Sequence, residues 1–290
     1  RGQIIDFAAS PANVLILGDT GTGKELVARA LHDLGRAPTA PFVAVNCATI
    51  PPDRFEETVF GSVTGGNGLL GDADGGTLFL DELGSMPFET QSKLLRAIET
   101  KKYQRVGEAA MRQVELRVVS AGSGEILQAV TDKTFREDLL FRLNTLVITL
   151  PNLADRGEDV LLLFRHYVDR LSTIYAVTVP DLTPDDIATL LSYHWPGNVR
   201  EVQNVAERRV LAQKRGGGSV RRAITLQSIA QTVPETLREA VAAFEREVIS
   251  RALRNEDGRM DEVAAVLGIG RRTLNEKIVK LGLDKDALLS

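Results

Sequence analysis

Gly18-Asp-Thr-Gly-Thr-Gly23-Lys24 sets a lysine directly after glycines at the spacing G-x-x-x-x-G-K. An apolar run, Val14–Leu17, precedes it, and helix-periodic residues follow. Between a strand and a helix, such glycines let backbone N–H groups curl around an anion. The helix N-terminus adds a favourable field, and the lysine brings a mobile charge to the outer phosphates. Gly18, Asp19, Thr20, Gly21, Thr22, Gly23, Lys24 and Glu25 are therefore the candidate phosphate-binding residues. Glu25 stands where Ser or Thr usually reaches Mg2+, so Thr22, a water or a different arrangement must serve the metal. A second acidic signal is Thr77-Leu-Phe-Leu-Asp81-Glu82, an apolar strand ending in two carboxylates. Asp81 suits Mg2+, and Glu82 suits a general base that polarises the attacking water. The competing reading is a solvated strand end with two incidental acids. Together the two motifs predict a hydrolytic nucleotide site.

A third chemistry lies near the C-terminus. Residues 261–280 read as helix, tight turn, helix, with Gly268 at the turn and Val263, Ala264, Leu267, Ile269, Leu274 and Ile278 as shared core. The second helix carries Arg271, Arg272, Lys277 and Lys280 against Glu276, a local balance of 4 − 1 = +3. Arg271, Arg272, Thr273, Asn275 and Lys277 would face bases or phosphates of double-stranded DNA in the major groove. The bland alternative is a helical hairpin with a solvated basic face. Upstream, Leu237, Val241, Phe244, Val248 and Leu253 form an apolar stripe that predicts dimerisation, as a palindromic site requires.

The elements that must position these residues follow from patterning. Apolar runs at Val14–Leu17, Phe42–Asn46, Thr77–Asp81, 116–121 and 146–150 read as buried strands. Helical periodicity between them, as at 26–34 and 91–100, predicts an α/β fold with a parallel sheet covered on both faces. From Pro151 to about Arg215 the pattern turns helical, with Val160, Leu163, Phe164, Tyr167 and Leu171 on one face. Gly216-Gly-Gly-Ser219 reads as a flexible break, followed by helical patterns at 234–254, 260–267 and 271–281. The expected division is 1–150, 151–215, a linker at 216–233, and 234–290.

Composition narrows the classes. The 290 residues are 43% hydrophobic and 26% charged, with net charge −4, which excludes a disordered chain and a wholly basic nucleic-acid coat protein. Cys47 is the only cysteine, so neither an intramolecular disulfide nor a cysteine-built metal site forms. No apolar run approaches the roughly 18–20 residues of a membrane span, and no signal peptide is evident. A cytoplasmic protein without membrane partners is expected. The start at Arg1 rather than Met predicts a fragment of something longer.

GDTGTGKELVARALH (18–32), PFVAVNCATIP (41–51), ADGGTLFLDELGSMP (73–87), FREDLLFRLN (135–144) and WPGNVREVQN (195–204) together resemble the AAA+ domain of bacterial enhancer-binding proteins. These activators work with the alternative sigma factor sigma-54. The likeness spans nearly the whole chain; the ELGSMP stretch and the C-terminal helices look most like dicarboxylate-transport response regulators, whose receiver domain this sequence lacks. It implies an AAA+ ATPase with ATP and Mg2+ as cofactors, a P-loop α/β subdomain over 1–150, a helical lid over 151–215 and a Fis-type helix-turn-helix over 234–290. The Lys24-Glu25 ending belongs to this family.

The resemblance also implies roles. Asn46 would hold the catalytic Glu82 by one hydrogen bond until nucleotide state releases it; on the residues alone it could instead satisfy local backbone. Arg136 and Arg142 would be arginine fingers offered to a neighbouring subunit's site, which implies a homo-oligomeric, hexamer-type ring. From the residues alone they read as surface arginines paired with Glu137 and Asp138. Arg200 would sense the γ-phosphate; otherwise it is a helix-surface arginine paired with Glu201. Trp195-Pro196-Gly197 on its own is a turn before a helix capped by Asn198.

The sequence also departs from the family. Phe60-Gly61 is followed by SVTGGNGLLGD, without the GAFTGA sequence that touches sigma-54. The stretch is roughly eight residues shorter than usual, in a loop position where function tends to reside. That puts the contact with sigma-54 and RNA polymerase holoenzyme in question and leaves the nucleotide site intact. Ser123 replaces a longer amide after the sensor strand, and Pro151-Asn-Leu-Ala-Asp-Arg156 departs from the family's Pro-Pro-Leu-Arg-Glu-Arg run. The expectation is an ATP-binding, DNA-binding transcriptional regulator of this family, part of a two-component response regulator, with slow hydrolysis. The alternative is a sigma-54-independent regulator or repressor in which nucleotide only controls assembly.

Overall fold

The computed structural model describes residues 2–231, 237–255 and 259–281. It divides into two units, residues 1–223 and 224–290. In the first, β1 (Val14–Leu17), β2 (Phe42–Asn46), β3 (Thr77–Asp81), β6 (Arg117–Gly122) and β7 (Leu146–Thr149) form one parallel sheet in the order β2-β3-β6-β1-β7. A short antiparallel pair, β4 (Lys102–Tyr103) and β5 (Arg112–Gln113), stands apart from it.

The side-chain period of two distributes each central strand between two cores. Leu15, Leu78 and Leu80 face one side, with Phe55, Leu94, Phe135 and Leu139. Val14, Ile16 and Phe79 face the other, with Ala28, Leu31 and Ile148. Both faces are therefore dry, which is why these strands are continuous apolar runs. The helices that cover them include α1 (Gly2–Ala8), α2 (Lys24–Asp33), α3 (Pro52–Phe60) and α5 (Phe88–Thr100); short α4 (Gly68–Asp72), α6 (Glu125–Thr131) and α7 (Glu137–Leu143) complete the layer. Burial lowers the pKa of Arg117, but its guanidinium is satisfied by the carbonyls of Phe7 (2.7 Å) and Ala12 (3.0 Å), which ties α1 to β6.

Three expected strands have the observed bounds. The fourth, expected at 116–121, is shifted by one residue to Arg117–Gly122, because the Gly122 carbonyl accepts from the Gly18 N–H (3.2 Å). The helices expected at 26–34 and 91–100 begin earlier, at Lys24 and Phe88.

The helical part consists of α8 (Asp159–Tyr175), α9 (Pro184–Ser192) and α10 (Asn198–Gln213). Thr183 and Asp186 form a reciprocal capping box at the start of α9. Trp195, buried, donates from Nε1 to the Leu190 carbonyl (2.9 Å) and fixes the turn into α10. Residues 216–233, expected as a linker, include a helix, α11 (Val220–Gln231). Its start is pinned, since Val220 is buried and donates its N–H to Asp186 Oδ1 (2.9 Å). Glycines at 216 and 217 serve as a tight bend there, with φ of 96° and 95°.

The second unit contains α12 (Leu237–Asn255), α13 (Met260–Val266) and α14 (Arg271–Lys280). Its core joins Ile249, Leu253, Val263, Ala264 and Leu274, with Leu267, Ile269 and Ile278 packed against it. Gly268 takes φ 63° at the turn, as the sequence requires. Of the apolar stripe on α12, Val241 and Phe244 are exposed and Leu253 is buried; the side chain of Leu237 lies outside the described residues. Among the described residues no helix is long and apolar enough to cross a membrane.

Candidate functional site

Residues 18–24 join β1 to α2 at the C-terminal edge of the parallel sheet, where α/β folds place their ligands. Gly21 and Gly23 adopt φ of 81° and 100°, a left-handed backbone that glycine takes without cost. Among the described residues, no hydrogen bond engages the N–H groups of Gly21, Gly23 or Lys24. Lys24 is buried, and its Nζ lies across the loop on the carbonyls of Gly18 (2.8 Å) and Asp19 (3.3 Å). Thr22 is also buried and donates its hydroxyl to the Asp19 carbonyl (2.8 Å). Asp19, Thr20 and Glu25 are exposed around it. Unpaired N–H groups, a helix N-terminus and one ammonium converge on a space that suits a polyphosphate.

Asp81 ends β3, one strand removed from β1, and Glu82 follows in the left-handed region (φ 52°). One Asp81 oxygen accepts from the Glu82 N–H (3.0 Å), and the other has no partner among the described residues. An all-oxygen donor set at this edge fits a hard divalent cation shared with phosphates. Among the described residues no group of three or more His, Cys, Asp or Glu forms a metal cage, so the phosphates must complete any Mg2+ shell. Beneath the carboxylates, burial and then the charge of Asp81 push the Cys47 thiol up to about 12, so it is an inert, protonated core residue.

Asn46 pairs in register with Asp81 across β2 and β3. Its side chain makes no hydrogen bond to Glu82. Instead, Oδ1 accepts from the Ala48 N–H (2.9 Å) and caps the short turn after β2. This is the local backbone role, favoured because the donor lies only two residues away.

Arg136 also takes a local partner. Its guanidinium grips Asp138 through Nε (3.0 Å) and Nη2 (2.7 Å), just ahead of α7. Arg142, at the end of α7, is exposed and makes no side-chain hydrogen bond or ion pair among the described residues.

The phosphate loop is roofed by the start of α10. Val199 donates its N–H to the Gly21 carbonyl (2.9 Å), and Asn198 Nδ2 donates to the Thr20 carbonyl (3.1 Å). Asn198 does not cap α10. Its Oδ1 accepts from the Leu153 N–H (2.8 Å), while Glu201 Oε2 takes the Gly197 N–H (2.8 Å). Glu201 is thereby committed to Gly197 and Tyr193, so it does not pair with Arg200. Arg200 is exposed, and a Cβ built at Gly21 would stand 3.3 Å from its Cβ. Asn198 was legible only as a cap, because its partners are 178 and 45 residues away in sequence.

The short stretch after Gly61 folds into a closed turn. Ser62 bridges Gly66; Val63 and Gly61 bond Val106 (3.2 and 2.9 Å); and Tyr103 donates its hydroxyl to the Asn67 carbonyl (3.2 Å). Buried Ser62 also donates to Glu57 and accepts from the Gly65 N–H (2.7 Å). The stretch therefore lies against the residues around β4 instead of projecting as an arm. Among the described residues the Ser123 hydroxyl bonds only Glu125 (3.3 Å).

On α14, Arg271 pairs with Asp261 (2.8 Å), Arg272 with Glu276 (3.1 Å) and Lys277 with Glu245 of α12. Thr273, Asn275 and Lys280 are exposed. The pairs of Arg271 and Arg272 lie on the surface and are worth under about 1 kcal/mol each, so a phosphate can displace the acids. Lys277, two-thirds covered and turned to Glu245, is the least available of the three.

Three family models match the chain in succession. Residues 1–149 match the sigma-54 interaction domain, 154–243 the AAA+ ATPase lid domain, and 240–281 the Fis family of bacterial regulatory proteins. The C4-dicarboxylate transport transcriptional regulatory protein DctD of Pseudomonas aeruginosa is 40% identical, over 98% of this chain and 62% of that protein. The regulatory protein AtoC of Escherichia coli (strain K12) is 36% identical, over 96% of this chain and 64% of that one. The crystal structure of NtrX from Brucella abortus in complex with ATP superposes with a TM-score of 0.74 at 33% identity, over 98% of this chain and 67% of the other. The chain thus spans less than two thirds of the length of the curated relatives DctD and AtoC. With a phosphate loop roofed by its lid, an acidic strand end and a helix-turn-helix in one order, the chain belongs to the NtrC-like family of sigma-54-dependent transcriptional activators and has the family's AAA+ ATPase-type domain.

Proposed function

We propose that this chain binds ATP with Mg2+ on the 18–24 loop, hydrolyses it slowly, and regulates transcription from DNA held by α14. The observation that carries the reading is the set of unpaired N–H groups at Gly21, Gly23 and Lys24 beside a buried lysine, at the sheet edge where Asp81 and Glu82 also end. Lys24 and the loop N–H groups hold the phosphates. Asp81 contributes an oxygen to Mg2+, and Glu82 orients water and takes its proton. Arg200, on the helix that roofs the loop, registers the terminal phosphate.

Assembly as a ring supplies the remaining cation from a neighbouring copy. Arg142 suits that role better than Arg136, because it is exposed and uncommitted whereas Arg136 is clamped by Asp138. NtrX, of similar structure, was crystallised with ATP and with ADP, which supports the nucleotide assignment. The test is ATP binding by the Lys24→Ala variant: affinity should collapse, and an unchanged affinity would sink the phosphate-loop assignment. Glu82→Gln should keep ATP bound and stop its turnover.

A second reading, that the ATPase acts without sigma-54, is favoured by the closed turn at 61–68. Purified protein with ADP and a metal-fluoride mimic of the transferring phosphate separates the two. Capture of sigma-54 by the assembled ring supports the activator reading. A ring that forms with nucleotide bound yet captures nothing supports regulation through ordinary promoters or repression.

A further inference from the structure

Helix α10 turns Val202, Val205, Ala206 and Val210 toward the helical core, and Arg209 shares that stripe. Its side chain is only 7% exposed. The guanidinium forms no hydrogen bond among the described residues, and its Nε is buried without a partner. The nearest acid, Asp186, stands 3.7 Å away. That carboxylate is committed elsewhere: Oδ1 accepts from Val220 (2.9 Å) and Oδ2 from Thr183 (3.3 Å). Burial alone would raise the pKa of Asp186, but these donors and the charge of Arg209 hold it below the usual carboxylate range. A buried guanidinium served by one distant, preoccupied carboxylate is costly, and its planar fork matches a second carboxylate.

Arg209 lines a cavity of about 520 Å3 between α8 and residues 179–182. Val179 and Leu182, partly buried, supply an apolar wall backed by fully buried Phe164, and exposed Arg165 adds a second cation to the lining. Asp169 and Asp181, both exposed, sit on the same rim. Two rim acids disfavour polyanions, while a single negative charge can reach Arg209 between them. The wall favours a ligand with an apolar body.

We propose that this cavity binds a small monocarboxylate with an apolar body, its carboxylate forked on Arg209 and its body against Val179 and Leu182. The site lies within the helical part and shares none of the residues of the phosphate loop.

The test is a fluorine NMR titration of 4-fluorobenzoate with the full 290-residue chain. Saturable line broadening, competed by benzoate, is expected. Arg209→Leu should weaken binding about tenfold or more, the scale of a charge-assisted contact. Arg165→Ala should weaken it less, and Lys24→Ala not at all. Because Arg209→Leu could repack the helices, Val179→Trp serves as a second variant that fills the cavity with the arginine kept; it too should abolish binding. The proposal is overturned if 4-fluorobenzoate shows no saturable binding, or if binding survives both variants. Equal affinity for 4-fluorobenzyl alcohol, or competition by inorganic phosphate as effective as by benzoate, would overturn it as well.

Discussion

In the 18–24 loop, Gly21 and Gly23 hold φ of 81° and 100°; in the 61–68 turn, Gly61, Gly66 and Gly68 hold 78°, 102° and 71°. The two segments are alike in composition and backbone, and they differ in where their polar groups go. Around Gly61 most N–H and carbonyl groups are spent on Val106, Ser62, Gly66 and Glu57, and the side chains of Tyr103 and Ser62 take the Asn67 carbonyl and the Gly65 N–H. In the phosphate loop the carbonyls are taken by Lys24, Thr22 and the start of α10, while N–H groups at Gly21, Gly23 and Lys24 stay open. A segment whose open donors gather at a helix N-terminus beside a lysine is built to receive an anion; one that spends the N–H groups of residues 61, 62, 63, 65 and 66 on its own turn and its neighbours is built to stay shut.

The largest effect separating the two should come from Lys24→Ala. On the proposed role of Lys24, loss of its ammonium from the phosphate site predicts about a hundredfold fall in ATP affinity by calorimetry. If the turn really is closed, no substitution at 61–68 should match it.

Glycine substitutions sharpen the contrast next. A Cβ at Gly21 would lie 2.3 Å from the Gly197 carbonyl oxygen, and one at Gly68 would lie 2.2 Å from the Gly61 nitrogen. Left-handed strain plus that overlap predicts about 2–4 kcal/mol of lost stability for either Gly→Ala, measured by urea denaturation. Only Gly21→Ala should also weaken ATP, because it pushes α10 off the loop. Gly66→Ala, with nothing within 4 Å of its Cβ, should cost only the backbone term of about 1–2 kcal/mol.

Comparable to Gly66→Ala is Ser62→Ala, which removes a buried hydroxyl from Glu57 and the Gly65 N–H. About 1–2 kcal/mol of stability should go, with ATP affinity and turnover unchanged. A change in turnover would mean that the turn communicates with the nucleotide edge.

Legibility in the sequence followed the range of the interactions. The strands β1 and β3 are legible to the residue because burial on both faces leaves an unbroken apolar run, and β2, at the sheet edge and only partly buried, because residues 42–45 are apolar all the same. Gly268 and the core of α13 and α14 were legible because a helix-turn-helix is local. The helix at 220–231 was not, since three glycines before it look like a linker and the Asp186 carboxylate that fixes Val220 lies 34 residues upstream. The resemblance assigns Asn46 and Arg136 to the catalytic machinery, yet each has a nearer partner in the structure. Arg209 gave no signal at all, because a basic residue on a helix looks like solvent-facing surface until the fold turns it inward.

The smallest effect concerns the far side of the closed turn. Glu108 accepts from Arg112 (3.0 Å) and from Arg105 (2.7 Å), and Arg105 in turn donates to the Gly66 carbonyl (3.4 Å). Hydrogen bonds from Arg112 first and Arg105 second hold Glu108 down at about 2, against an ordinary 4.5. A depressed carboxylate contributes stability that is whole above its unfolded pKa and is lost as pH falls through the folded one. Glu108→Gln should therefore lower the urea midpoint slightly at pH 6. The gap from the parent should narrow as pH drops below about 4.5 and vanish toward 2. A gap that is constant with pH would mean the amide loses shape rather than charge, and that the arginines brace the turn without Glu108. Because this cluster of one carboxylate and two arginines is only partly buried, salt should shrink the gap at pH 6, whereas the Lys24→Ala defect should persist.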